Sequence, residues 1–533
     1  MRRTRDKTIK CNNNCVWEEV GMNRQLPLNI EGGSAVLVAR RENLLSQKDD
    51  NYQVVRGISR PDLPEDILRH IHAQMTLRDA ARAACASHTF RHSWICRPNL
   101  TFSRETLGLY SNNASGDVVT RDIISKIDQI LQNRSGIGVK TLKFDLLCCD
   151  NIDFSYLDSW LHIAVTPGIE EVILNLPLPT MSVYNFPCSL LSNGSGNSIQ
   201  YLDLSRCALR PTVGLGCLRS LTRLHLFCVR ITGDELWCLL SNSSALVRLE
   251  LWYCNEIISL KIPSLQRFRS LDVVECNSLQ VVESNSPNLS KFYFSGLLGQ
   301  ISLGGSLQVK NLSMICSYQA NIVWYARNNL LYIAPNVETL AISSPSETVN
   351  TPMLSGKFLH LRHLEISLVG MAAYDYLSLV SFLDASPHLE KFMLAGSGTD
   401  IGHMQITQHR MEHDSILGGP PHDLRQIPEQ RYDKLKNVKI SGFCSAKSLV
   451  ELTCHILENT TSLDCLTLDT TWYPRCSVTK SGKCYPLMDR DSLVEAQKAL
   501  VAIRRYVVGK VPSMVKLNVL EPCSRCHTIE PLV

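Results

Sequence analysis

Between Val139 and Met514 the pattern L-x-x-L-x-L, with Val, Ile, Phe or Met accepted for Leu, returns fourteen times. Its first position falls at Val139, Ile169, Ile199, Leu221, Leu246, Phe268, Leu289, Val309, Val337, Leu361, Leu389, Leu435, Leu463 and Met514. Successive starts lie 20 to 30 residues apart except for two longer steps. The pattern is clearest in Leu221-x-x-Leu224-x-Leu226, Leu246-x-x-Leu249-x-Leu251, Leu361-x-x-Leu364-x-Ile366 and Leu463-x-x-Leu466-x-Leu468. Its closing alternation is that of a short strand with one buried face. A unit this small cannot close a core of its own, so each must be buried by its neighbours.

That period is the mark of leucine-rich repeats, in which each unit gives one strand and a returning helix or turn. Helical spacing fits the returns Asp122–Leu131, Tyr156–Val165, Asp234–Leu240, Tyr374–Leu383, Leu449–Leu457 and Leu493–Val507. Between Val281 and Val337 the intervals shorten and the helical pattern fades, which predicts extended or turn returns there. The two long steps place loop insertions near 396–431 and 470–489. Cys207, Cys254 and Cys276 each stand three residues after the last apolar position of their strand. Leucine-rich repeats put Asn or Cys there to satisfy backbone groups in the turn. The fold class is therefore α/β: a helical N-terminal piece followed by an irregular leucine-rich-repeat solenoid, a horseshoe, over 103–533.

Ahead of the repeats, residues 1–57 carry Asn and Gly clusters without sustained periodicity and are expected to form a flexible leader. Residues 58–102 differ. Asp62, Pro64 and Glu65 make a helix start, and Leu63, Ile67, Leu68, Ile71 and Met75 fall on one stripe. Thr76 and Asp79 start a second helix with a small-residue face of Leu77, Ala80, Ala81, Ala84 and Cys85. Two helices this short bury too little to stand alone. Pro98 to Phe102 reads as a connector. The run Leu63-Pro64-Glu65-Asp66-Ile67-Leu68, then Ala86-Ser87 and Phe90, resembles an F-box.

F-box proteins dock on the adaptor Skp1 of a cullin-RING ubiquitin ligase. The resemblance assigns that contact to Leu63, Pro64, Ile67, Leu68, Ile71, Leu77, Ala80 and Ala84. An F-box before irregular repeats is similar to the plant F-box/leucine-rich-repeat proteins, and Asp433–Phe443 with Ala446–Leu452 is similar to their grass-expanded branch. The resemblance implies a substrate-recognition subunit of an SCF-type E3 ubiquitin ligase, not an enzyme, holding Skp1 and through it cullin by the F-box, and a protein target of unknown identity by the repeats. The alternative is an interaction scaffold acting outside any ligase, with the paired helices as a cap.

On such strands the residues between and after the last leucines face the concave side, so His225, Phe227, Glu250, Trp252 and Tyr293 are the candidate target-binding residues. A covering loop would remove them from use. A net charge of +4 over 533 residues, without a dense basic block, argues against nucleic acid or an anionic membrane as main partner. With no apolar leader segment and no spanning run, the expected location is cytoplasmic, nuclear or both. The 21 cysteines are then expected as thiols, most of them buried. Cys523-Ser524-Arg525-Cys526-His527 has the form of a haem-attachment motif, but no export signal supports it. Cys476, Cys484, Cys523 and Cys526 could close a structural zinc site; free thiols are the plainer reading. His403, His409, His413 and His422, with Glu412 and Asp414, could form a metal site; a solvated loop is the plainer reading. No cofactor, metal or catalytic residue is assigned.

Overall fold

Fifteen parallel strands lie side by side in chain order, from Asn99–Phe102 at one end to Lys516–Leu520 at the other. The computed structural model describes residues 64–523 apart from short breaks, the longer ones being 110–115, 134–137, 212–217, 369–373, 397–412, 419–423 and 472–489. The expected leader, and most of both expected insertions, lie outside the described residues.

Each of the fourteen repeats read from the sequence supplies one strand, beginning two residues after its first apolar position. Pairing is in register, so Leu202, Leu224, Leu249, Leu271, Phe292 and Leu312 form one row, none more than 2% exposed. Each leucine so buried stabilises the stack by about 2 kcal/mol. The fifteenth strand corrects the reading of Pro98–Phe102 as a connector. Leu100 and Phe102 are buried as in every other repeat, but the first position holds Arg97, and the pattern search passed over it.

The turn that leaves the strand repeats as well. Arg206, Cys228, Tyr253 and Glu275 all have φ between 50° and 60°, and Gly442 takes the same place with φ 71°. The next residue points inward. Cys254 Sγ lies 3.5 Å from Leu226 O and Cys276 Sγ 3.6 Å from Leu251 O, each thiol donating to the strand of the preceding repeat. The structural role read for these cysteines is what the structure shows. All fourteen described cysteines are free thiols, and half of them are buried rather than most.

Helices return the chain where the spacing predicted them, at Gly116–Gln132, Phe154–Ala164, Gly233–Ser241, Lys447–Asn459 and Arg490–Ala502. Val380–Ala385 is preceded by a tighter turn, Tyr376–Leu379. The extended returns form a second parallel sheet of Ser259–Ile262, Val281–Ser284 and Gln300–Ser302. One segment departs from expectation: Ile322–Ile333 is a helix. Its inward face includes Arg327, 1% exposed and donating to Ser381, Leu354 and Gly356 carbonyls, while Trp324 and Tyr332 face out. The hydropathy period is inverted at three positions and so was invisible.

The N-terminal piece is three helices rather than two: α1 (Glu65–Gln74), α2 (Leu77–Ala86) and α3 (His88–Ile95). Thr76 caps α2 by accepting from Asp79 N, as its sequence predicted, whereas Pro64 stands at the N-cap of α1 without a side-chain cap. The bundle packs around His72, whose Nε2 lies 3.1 Å from Ala80 O and whose ring stacks on Phe90 at 5.6 Å. Burial lowers the pKa of His72 below its ordinary value, with Arg97 adding to the effect and the Ala80 bond opposing it. Arg97 then ties the bundle to the first strand. Its guanidinium donates to His72 O (2.9 Å), Ala73 O (3.1 Å) and Met75 O (2.6 Å), the carbonyls that end α1, while Nε holds Asn99 O at 3.1 Å.

Candidate protein-docking surfaces

The bundle leaves one apolar edge open. Ile67 is 43% and Ile71 38% exposed, one turn apart on α1, with Pro64 exposed beside them and Leu68 half-buried. Single exposed apolar residues are ordinary; these two are aligned on one short helix. Ala84 is half-buried, and Leu63 lies outside the described residues. Leu77 and Ala80 correct the sequence reading. They are 3% and 0% exposed: Leu77 belongs to the same continuous core as Leu100, Phe102 and Leu107, and Ala80 carries the carbonyl bonded to His72. Of the small-residue face of α2, Leu77 joins the repeat core and Ala80 is enclosed in the bundle, while Ala81 and Ala84 are half-buried and Cys85 is exposed.

On the open face of the main sheet, His225 and Phe227 lie in register with Glu250 and Trp252 on the next strand. His225 and Trp252 meet edge to face at 5.9 Å, and Phe227 lies 6.4 Å from Trp252. Residues the pattern did not single out complete the patch. Tyr253 packs on Phe227 at 5.6 Å, and the Arg206 guanidinium lies 5.1 Å above that ring. Both come from the left-handed turn position, which no hydropathy pattern marks. Arg223 covers Tyr201 at 4.2 Å, and Tyr201 donates to Asp203, which also holds His225 at 3.0 Å. Burial raises the Tyr201 pKa and the Asp203 charge raises it further, keeping the phenol neutral.

Glu250 is held by Arg248 at 2.8 Å, and the same guanidinium nitrogen reaches Asp272 at 2.7 Å. Glu250 is thus engaged within the sheet, while Phe227 and Trp252 keep half-buried ring surface toward solvent. Tyr293 stands two strands beyond Glu250, with Asp272 between them, and is not part of the aromatic group. The expected patch is therefore one cluster over three strands, Tyr201–Ser205 to Arg248–Trp252, with Tyr293 apart.

Cys476, Cys484 and Cys526 lie outside the described residues, and Cys523 is half-buried. His403, His409, His422 and Glu412 are likewise outside. His413 is described, and it is not solvated. Its side chain is 8% exposed, with Nε2 3.2 Å from Glu495 Oε1. Among the described residues no helix is long and apolar enough to cross a membrane.

A helical bundle with an open apolar edge is thus joined to a leucine-rich-repeat sheet that carries an aromatic cluster. Residues 130–524 match the family described as At1g61320/AtMIF1, LRR domain, and residues 61–99 match the F-box domain. The chain belongs to the plant F-box/leucine-rich-repeat family, with repeats of that LRR-domain type. It is 25% identical to the F-box/LRR-repeat protein At3g26922 of Arabidopsis thaliana, over 44% of this chain and 74% of that one. To the F-box protein At5g03100 of the same plant it is 24% identical, over 40% of this chain and 62% of that one. With two other relatives, F-box/LRR-repeat protein At5g02910 and F-box/FBD/LRR-repeat protein At1g13570, the matched stretch spans less than half of their length, whereas with the putative F-box/FBD/LRR-repeat protein At3g49040 it spans 88%. A solved internalin (inlF) from Listeria monocytogenes aligns at 13% identity, covering 66% of this chain and 90% of that one, with a TM-score of 0.25.

Proposed function

We propose that this chain is the substrate-recognition subunit of an SCF-type E3 ubiquitin ligase. The exposed Ile67 and Ile71 edge of α1 carries the proposal, because it is apolar, unpartnered and set in a segment matching the F-box domain. A Skp1-like adaptor seats on that edge with Pro64, Leu68 and Ala84 around it, and brings cullin with it. The Phe227 and Trp252 patch takes the protein target. The chain performs no bond chemistry. It raises the effective concentration of a target lysine near a ubiquitin-loaded conjugating enzyme held elsewhere in the assembly. It works in the cytosol, the nucleus or both.

The test is co-purification with a plant Skp1-like protein, comparing the parent with an Ile67→Asp, Ile71→Asp double variant. The parent binds; the variant keeps its circular dichroism and loses the adaptor. A folded parent that captures no Skp1-like protein sinks the reading and leaves a free-standing repeat scaffold.

A further inference from the structure

Near the C-terminal end of the repeats, three side chains from three separate segments converge. His413 comes from the described piece of the first insertion, Cys444 from the turn after the Asn437–Ser441 strand, and Glu495 from the Arg490–Ala502 helix. One nitrogen, one sulfur and one carboxylate oxygen lie within 4.8 Å of one another. We propose that His413, Cys444 and Glu495 form a binding site for a zinc-class divalent cation, which pins the segment at residue 413 onto the end of the solenoid.

The geometry is close to what such an ion needs. Zinc bonds of about 2.0–2.3 Å in a tetrahedral set place neighbouring donors about 3.3–3.8 Å apart. His413 Nε2 and Glu495 Oε1 are already 3.2 Å apart, and the 4.8 Å limit asks the remaining atoms to close by about 1 Å. The mixed donor set selects the metal class: magnesium and calcium take oxygen ligands, whereas nitrogen with thiolate favours zinc. The site is also shielded from bulk solvent. The His413 and Glu495 side chains are 8% and 11% exposed and Cys444 is 3% exposed.

The surrounding bonds orient the donors. Ser445 N donates to Glu495 Oε1 at 2.7 Å, and Ser445 Oγ lies 3.2 Å from His413 Nε2 and 2.7 Å from Ser415 Oγ. Burial pushes the Cys444 thiol up to about 12, with the backbone N–H of Ala446 opposing, so a bound ion has to displace its proton. A histidine–carboxylate ion pair would explain His413 and Glu495 but gives no reason for a thiol in the same pocket. On binding, the Cys444 thiol gives its proton to solvent, and the His413 nitrogen exchanges its contacts with Glu495 and Ser445 for the ion. Three protein donors leave one position for water.

The experiment uses the full chain, stripped with chelator and titrated with cobalt(II), then competed with zinc. One equivalent binds with a thiolate-to-cobalt charge-transfer band, and zinc displaces it. Cys444→Ser loses that band, and Glu495→Gln weakens zinc by at least roughly tenfold. A folded parent that takes up no metal overturns the proposal. So does a Cys444→Ser variant with unchanged band and stoichiometry, which places the metal on other cysteines. Should Cys444→Ser fail to fold, the isosteric Glu495→Gln decides: unchanged zinc affinity refutes the site.

Discussion

Replacing Arg97 with alanine removes four hydrogen bonds at once, three of them to the carbonyls that end α1 and one to Asn99 O. A hydrogen bond from a charged donor contributes about 1.5–3 kcal/mol net, and a buried acceptor left bare costs about 1–3 kcal/mol. Arg97 is 8% exposed, but carbonyls at a helix end can recruit water, so the whole change comes to about 3–4 kcal/mol. That is about two to three decades in the opening equilibrium of the bundle, at 1.4 kcal/mol per tenfold. The loss is local, because the sheet beyond the first strand is buried by its own neighbours. Native-state amide exchange read by mass spectrometry resolves this. Peptides from α1 to α3 in Arg97→Ala exchange about a hundredfold faster, while those from Leu224 to Leu251 keep the parent rate. Arg97→Lys recovers at most part of the protection, since an ammonium cannot reproduce the planar fork. Unchanged exchange in α1 to α3 of Arg97→Ala would refute the reasoning.

Three further outcomes follow from the same physics. His72 has a folded pKa below its unfolded value, so its contribution is complete above the ordinary histidine pKa of 6.5 and is lost as pH falls through that value toward the folded one. The bundle is therefore less stable at pH 5 than at pH 7.5, and His72→Gln flattens that slope in pH-dependent amide exchange. Phe227→Ala and Trp252→Ala each weaken target capture by about 1–2 kcal/mol or more, measured as protein enrichment in proximity labelling, while adaptor binding is unchanged. Cys254→Ala removes the thiol contact to Leu226 O and opens a small gap, lowering the urea midpoint by the equivalent of about 1–2 kcal/mol without changing the slope.

The strands were legible because each repeat states the same rule twice, in its alternation and in its period. The three places where reading failed share one cause. Arg97 at a leucine position, Arg327 on the inward face of Ile322–Ile333 and His72 at the centre of the helical bundle are buried polar groups whose hydrogen bonds go to the backbone or a hydroxyl, with only Nη1 of Arg327 left unpaired among these. A hydropathy pattern scores them as surface. The apolar edge was half legible for a different reason: α1 and α2 both carry apolar faces, and only the assembled core, which takes in Leu77 together with Leu100 and Phe102, decides which residues turn inward. On the open face the strand positions of His225, Phe227, Glu250 and Trp252 were readable from alternation, whereas Arg206 and Tyr253 sit in turns. Their approach to Phe227 depends on a backbone conformation that the residue types do not announce.

That turn conformation divides the solenoid by how freely it can change. A left-handed residue other than glycine costs about 1 kcal/mol or more, and four successive repeats carry that cost at Arg206, Cys228, Tyr253 and Glu275. The repeat at Gly442 avoids it. Two of the four strained residues are the ones laid against Phe227. A lineage that no longer used the patch would gain stability by drifting to glycine or asparagine at Arg206 and Tyr253. The identity of those two turn residues in related chains is therefore a molecular record of whether the recognition surface is still in service.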